Sequence, residues 1–80
     1  MNKNNKDKVY KIIKEVFPLV DGEIKNEWGP DQIEEWDSLG HLNLVMVIGE
    51  KFNVSLEFTE VMSIEKVGDI INILNEKGIE

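Results

Sequence analysis

The sequence predicts an all-α fold, a small four-helix bundle with three longer helices and one short helix. Apolar residues recur at helical spacing in three segments, and alternation of apolar and polar residues is never sustained long enough to indicate a strand. The 80 residues suffice for a single small domain, residues 1–80. Such a domain buries only about 60–65 % of the surface of its unfolded chain, so apolar surface left exposed needs a reason.

The first helix is predicted by one core-facing stripe with the spacing i, i+3, i+4, i+7, i+8. Its members are Val9, Ile12, Ile13, Val16, Phe17 and Val20. Asn4 or Asn5 is expected to cap this helix, and Pro18 to mark its frayed end.

A long loop, residues 21–37, is predicted next from the turn pairs Asp21-Gly22 and Gly29-Pro30. Loops of this length are unusual in compact domains and are often functional. Four large apolar residues are expected to pin it to the core: Ile24, Trp28, Ile33 and Trp36.

The second helix is predicted from about Ser38 to Phe52, with two apolar stripes. The core stripe is Leu44, Val45, Ile48 and Phe52, within about 100° of one another on a helical wheel. The outer stripe is Leu39, Leu42 and Met46, centred about 140° away. Either both stripes are buried, or the outer stripe is an exposed docking surface with Met46 as an adaptable contact.

The third helix is expected to be short, with Thr59 as a possible cap and a turn near Ser63. The last helix carries the stripe Val67, Ile70, Ile71 and Leu74. Gly78 is placed to end it.

Composition narrows the possible functions. The chain has no cysteine, which excludes disulfides, thiolate metal sites and a cysteine nucleophile, and one histidine excludes a multi-histidine zinc site. The net charge of −7 divides into +3 in residues 1–20 and −10 in residues 21–80. Nucleic acid is therefore not expected as a partner, whereas a basic protein surface is, although acidity also simply keeps small domains soluble.

The first ten residues lack the apolar segment of a signal peptide. No apolar run approaches the about 20 residues that span a bilayer. We therefore expect a soluble, cytoplasmic protein without membrane insertion.

Ser38 has three interpretations. As an N-cap its hydroxyl would accept a backbone N–H near His41 and contribute about 1 kcal/mol. If Asp37 caps the helix instead, Ser38 has a free hydroxyl at a helix end that favours a phosphate. A serine hydrolase would use His41 as base, but no orienting acid or oxyanion loop is evident, so no catalytic residue is expected.

The acidic residues around the loop could suggest a divalent-ion site. They are Asp31, Glu34, Glu35 and Asp37. Their spacing does not follow the calcium-loop pattern, so no dedicated metal site is expected.

The triplet Asp37-Ser38-Leu39, with the predicted helix order and the domain length, resembles the acyl carrier proteins. The resemblance spans nearly all 80 residues and includes Phe52 and the Ile64/Val67/Ile70 pattern. It implies that a separate phosphopantetheinyl transferase attaches phosphopantetheine from coenzyme A to Ser38 through a phosphodiester bond. The thiol of this arm would hold acyl groups as thioesters, and the protein would be a monomeric carrier rather than an enzyme.

The resemblance also implies a docking face for the transferase and for acyl-loading and acyl-transfer enzymes. The matching positions are Leu39, Leu42, Met46, Glu50 and Glu57. Gly40, Asn43, Gly49 and Lys51 stand where family members commonly have acids. This departure and the W-D-S-L-G-H-L run favour a specialised fatty-acid, polyketide or related pathway over general fatty-acid synthesis.

The family core can enclose an acyl chain, and the candidate lining residues are Val45, Ile48, Phe52, Met62 and Ile71. Gly49 costs about 1 kcal/mol against alanine inside a helix, which indicates either a close approach of another segment or a merely tolerated glycine. The alternative function is an unmodified helical adaptor that docks partners through the outer stripe.

Overall fold

The computed structural model describes residues 3–78, and these residues form four helices and no strand. The helices are α1 (Lys3–Val16), α2 (Ser38–Phe52), α3 (Phe58–Ser63) and α4 (Val67–Glu76). The predicted all-α bundle is confirmed, and α2 has the predicted bounds. No helix within residues 3–78 is long and apolar enough to cross a bilayer.

The core is built from α1, α2, α4 and the long loop, and α1 packs against both α2 and α4. The buried apolar residues are Val9, Ile12, Ile13, Phe17, Ile24, Ile33, Trp36, Leu44, Ile48, Ile64, Val67, Ile70, Ile71, Ile73 and Leu74. Helix α3 contributes no buried residue of its own. Because each predicted core stripe supplies members of this set, burial of apolar surface positions the three longer helices.

The long loop is fixed to the core and to α4. Ile24, Ile33 and Trp36 are buried as expected, and Trp28 is partly buried. The backbone N–H of Val67 donates to the carbonyl of Trp28 at 2.8 Å, and the N–H of Gly68 donates to the carbonyl of residue 26 at 2.9 Å. The loop therefore satisfies N–H groups that the first turn of a helix leaves without intrahelical partners.

Two predicted caps are wrong. Asn4 and Asn5 lie inside α1, which begins at Lys3, because the polar N-terminal sequence continues the helix. The buried Asn5 side chain donates through Nδ2 to Oδ1 of Asn75 at 3.1 Å, which joins α1 to α4. Thr59 is the second residue of α3 and not its cap.

Helix α3 begins instead with a capping box made by two glutamates. Oε1 of Glu60 accepts the backbone N–H of Glu57 at 2.8 Å, and the Glu57 side chain accepts the backbone N–H of Glu60. Nζ of Lys77 lies 3.0 Å from Oε1 of Glu60 and so connects α3 to the end of α4. The N–H of Glu57, and after it the Lys77 ammonium, hold the pKa of Glu60 below its ordinary value of 4.5.

Two glycines, Gly49 within α2 and Gly78 just after α4, have the surroundings that the sequence predicts for them. Gly78 has a φ of +77° just after α4, the left-handed conformation that favours glycine at a helix end. A Cβ on Gly49 would lie 3.0 Å from the carbonyl oxygen of Val54, so the predicted close approach of another segment is confirmed.

Acidification is expected to loosen the α3 cap. Since the folded-state pKa of Glu60 lies below 4.5, its stabilising contribution is present above that pH and is lost as the pH falls through the folded-state value. An NMR titration of the Glu57 amide proton should show a midpoint below 4.5. Lys77→Met should raise this midpoint, and a midpoint at or above 4.5 in the unaltered chain would contradict the capping arrangement.

Candidate functional site

At the N-terminus of α2, the adjacent residues Asp37 and Ser38 have different roles. Oδ1 of Asp37 accepts the N–H of Gly40 at 2.8 Å, so Asp37 is the N-cap. Ser38 is the first helical residue and is exposed, and no hydrogen bond found within residues 3–78 involves its side chain. Asp37 therefore caps the helix in place of Ser38, and the Ser38 hydroxyl is free.

Gly40 lets the loop backbone lie against the first turn of α2. A Cβ at this position would come within 2.2 Å of the carbonyl oxygen of Glu35 and 3.0 Å of the Phe17 ring. The Glu35 side chain in turn accepts the backbone N–H of Leu19 at 3.0 Å. No side chain fits at position 40 without a shift of the loop, which explains why this position carries no acid.

A groove of about 550 Å³ begins at Ser38 and lies between the loop, α2 and α3. We call it the Ser38 groove; its lining residues are Pro30, Trp36, Asp37, Ser38, His41, Leu42, Val61, Met62 and Ile64. Most of them are apolar. The volume falls within the about 300–1,000 Å³ typical of ligand pockets.

His41 joins the loop to α3 across this groove. Trp36 donates its Nε1–H to Nδ1 of His41 at 2.9 Å, and Nε2 of His41 lies 2.9 Å from the carbonyl oxygen of Val61. An indole N–H can only donate, so Nδ1 is the acceptor and the proton resides on Nε2, which donates to Val61. The Trp36 and His41 rings are nearly parallel, at 21°, with centroids 6.1 Å apart.

Both nitrogens of His41 are therefore engaged. Neither is available to take a proton from the Ser38 hydroxyl, because Nδ1 already accepts from Trp36 and Nε2 donates to Val61. The serine hydrolase interpretation has no geometric support.

The two stripes of α2 have different environments. Leu44 and Ile48 of the core stripe are buried, and Val45 and Phe52 are partly buried. The outer stripe is exposed, with 78 % of Leu39, 59 % of Leu42 and 60 % of Met46 accessible to solvent.

Helix α3 extends this apolar surface. Phe58 and Met62 are 76 % and 63 % exposed, although α3 has only six residues. We call Leu39, Leu42, Met46, Phe58 and Met62 together the apolar face. Phe58 was not singled out from the sequence, although large apolar residues four apart on so short a helix are a signal for it. The two acidic docking candidates, Glu50 and Glu57, are exposed as well.

The five candidate acyl-lining residues are not brought together around the Ser38 groove. Only Met62 lines it. Ile48 and Ile71 are buried in the core, Val45 is partly buried, and Phe52 lines a separate groove between α1 and the end of α2. Trp36, His41, Val61 and Ile64 also line the groove and were not predicted to do so, because Val61 and Ile64 reach it only through the placement of α3.

The acids considered for ion binding form no ligand set. Within residues 3–78, no three or more His, Asp or Glu side chains are grouped closely enough to hold a metal ion.

No protein-family model matches the chain. Among solved structures, its fold is similar to that of a protein described as a candidate acyl carrier protein from Mycobacterium tuberculosis. The TM-score is 0.80 at 18 % sequence identity, and the alignment covers 90 % of this chain and 96 % of that chain. The chain therefore has the four-helix fold of an acyl carrier protein.

The division of roles between Asp37 and Ser38 predicts unequal effects on stability. Asp37→Ala should lower the free energy of unfolding by about 1 kcal/mol because it removes the cap, and Asp37→Asn should retain most of it. Ser38→Ala should change the free energy by no more than about 0.5 kcal/mol. Urea unfolding followed by circular dichroism measures both; a Ser38→Ala loss as large as that of Asp37→Ala would show that Ser38 is the cap.

Proposed function

We propose that this protein is an acyl carrier that is modified with phosphopantetheine on Ser38. The observation that carries the proposal is the exposed Ser38 hydroxyl, which is left without a capping role by Asp37 and stands at the mouth of an apolar groove. The fold similarity to a candidate acyl carrier protein and the resemblance of the Asp37-Ser38-Leu39 triplet support the same function.

The surroundings of Ser38 fit a phosphodiester. Ser38 is the first residue of a fifteen-residue helix, where free N–H groups and the positive end of the helix dipole favour an anion. The arm, when attached, supplies a thiol that this cysteine-free chain lacks, and this thiol holds acyl groups as thioesters.

The modification is a transfer reaction in which the carrier is the substrate. A bond forms between Oγ of Ser38 and the phosphorus nearer to pantetheine in coenzyme A, and the pyrophosphate P–O bond breaks. The adenosine bisphosphate leaves with the electron pair, and the hydroxyl proton passes to a base of a separate phosphopantetheinyl transferase. His41 is not that base, because both of its nitrogens are hydrogen bonded to Trp36 and Val61.

The apolar face is the proposed docking surface for the transferase and for acyl-loading and acyl-transfer enzymes. Exposed apolar patches of this kind mark interaction sites, and Glu50 and Glu57 add acidic positions on a chain of net charge −7. A partner surface with an apolar centre and a basic rim would complement it.

The small number of acidic residues on α2 supports a carrier of a specialised fatty-acid, polyketide or related pathway. A side chain at Gly40 would overlap the Glu35 carbonyl oxygen, and a Cβ at Gly49 would lie 3.0 Å from the Val54 carbonyl oxygen, so acids are disfavoured at these positions. Partner enzymes would then select this carrier more through its apolar contacts than through a dense acidic helix.

The proposal predicts a gain of one phosphopantetheine group on incubation with coenzyme A and a phosphopantetheinyl transferase. Intact-mass spectrometry detects this gain, and Ser38→Ala should show none. Absence of a gain with several active transferases would contradict the carrier function and favour the unmodified helical adaptor.

The docking surface predicts a second effect on the same reaction. Leu42→Asp should slow modification by on the order of tenfold, because an interface anchor is worth about 1.4 kcal/mol or more. Leu19→Asp is the matched control, since Leu19 is 79 % exposed but lies in the turn after α1 and not on α2. Equal rates for the two variants would show that α2 does not dock the transferase.

A further inference from the structure

Helix α3 is held in place by few contacts. None of its residues is buried, and within residues 3–78 the polar side-chain contacts found between α3 and the rest of the bundle are the hydrogen bond from His41 to Val61 and the ion pair of Glu60 with Lys77. Segments with little buried apolar surface open at a lower free energy than the core does. The position of α3, which is one wall of the Ser38 groove, therefore depends strongly on these two side-chain contacts.

His41 stands at the boundary between the Ser38 groove and the core. It lines the groove, whereas Leu44 and Ile48, which are three and seven residues further along the same helix face, are buried and do not. Trp36, which donates to Nδ1 of His41, is only 2 % exposed and packs against the core residue Phe17, with ring centroids 5.9 Å apart. The hydrogen-bonded residues Trp36, His41 and Val61 thus close the groove on the side of the core.

An acyl chain that entered the core from Ser38 would have to displace this closure. Moving α3 away leaves the Val61 carbonyl without its partner, and moving His41 leaves the buried indole N–H of Trp36 unpaired. The unpaired indole N–H is the costlier of the two, because Trp36 is buried. Both bonds to be broken are made by the His41 side chain.

We infer that His41 is a positioning residue that keeps α3 closed against the loop, confines the acyl group to the Ser38 groove and thereby keeps the acyl chain out of the core. This inference rests on the proposed carrier function. The groove begins at Ser38 and is lined mostly by apolar residues, so it can receive an acyl group while the core stays closed.

The first experiment uses the unaltered protein loaded on Ser38 with acetyl-phosphopantetheine or with octanoyl-phosphopantetheine. NMR spectra of selectively labelled methyl groups report on the groove through Leu42 and Met62 and on the core through Ile48 and Ile71. The octanoyl form should differ from the acetyl form at Leu42 and Met62 and match it at Ile48 and Ile71. Shifts of Ile48 and Ile71 on octanoyl loading would overturn the inference.

The second experiment compares His41→Ala with His41→Gln. Glutamine retains one acceptor and one donor and should behave as the unaltered chain, whereas alanine removes both hydrogen bonds and leaves space behind Leu42. Hydroxylamine cleavage is measured for each loaded form relative to the matching coenzyme A thioester. In His41→Ala the octanoyl form should be protected on the order of tenfold more than the acetyl form, which corresponds to about 1.4 kcal/mol.

In the unaltered chain and in His41→Gln, the two acyl forms should be cleaved at similar relative rates. If the octanoyl and acetyl thioesters are protected equally in all three chains, the role of His41 is overturned. If His41→Ala does not fold, the methyl spectra of the unaltered chain still decide whether the acyl chain enters the core. Failure of the carrier function itself is recognised separately, because Ser38 then gains no mass and no loaded form exists, which overturns both proposals.

Discussion

The hydrogen bonds from Trp36 to His41 and from His41 to Val61 are the interactions on which the geometry of the candidate site depends. They connect a buried loop residue, the first turns of α2 and the last turn of α3. Because the Trp36 indole can only donate, these bonds also fix which nitrogen of His41 carries the proton. Without them the Ser38 groove would lose the hydrogen bonds between its lining residues, and the Glu60–Lys77 ion pair would be the remaining side-chain polar contact found between α3 and the rest of residues 3–78.

The site can leave a serine hydroxyl free because neighbouring residues perform the structural roles around it. Asp37 caps α2, and Gly40 lets the loop backbone approach the helix. His41 is hydrogen bonded to both the loop and α3. Ser38 is thus exposed in the first turn of α2, which suits a residue that another protein modifies. The apolar face next to it offers such a protein a surface to bind.

Much of the fold could be predicted from the sequence because its signals are local and periodic. The bounds of α2, its two stripes and the anchoring of the loop by Ile24, Ile33 and Trp36 follow from the spacing of apolar residues. The caps of α1 and α3 were predicted wrongly, since Asn5 is used to pair with Asn75 of α4 and a box of two glutamates replaces a threonine cap. The groove could not be predicted, because the contact of His41 with Val61 joins residues twenty positions apart and leaves no periodic signal.

The tautomer of His41 tests this account most directly. A long-range proton–nitrogen NMR spectrum of the imidazole at neutral pH distinguishes a proton on Nε2 from one on Nδ1. We predict the Nε2–H form alone, with a coupling across the hydrogen bond from the Trp36 indole N–H to Nδ1 of His41. A proton on Nδ1, or an averaged mixture of the two tautomers, would contradict the closure of the Ser38 groove by His41.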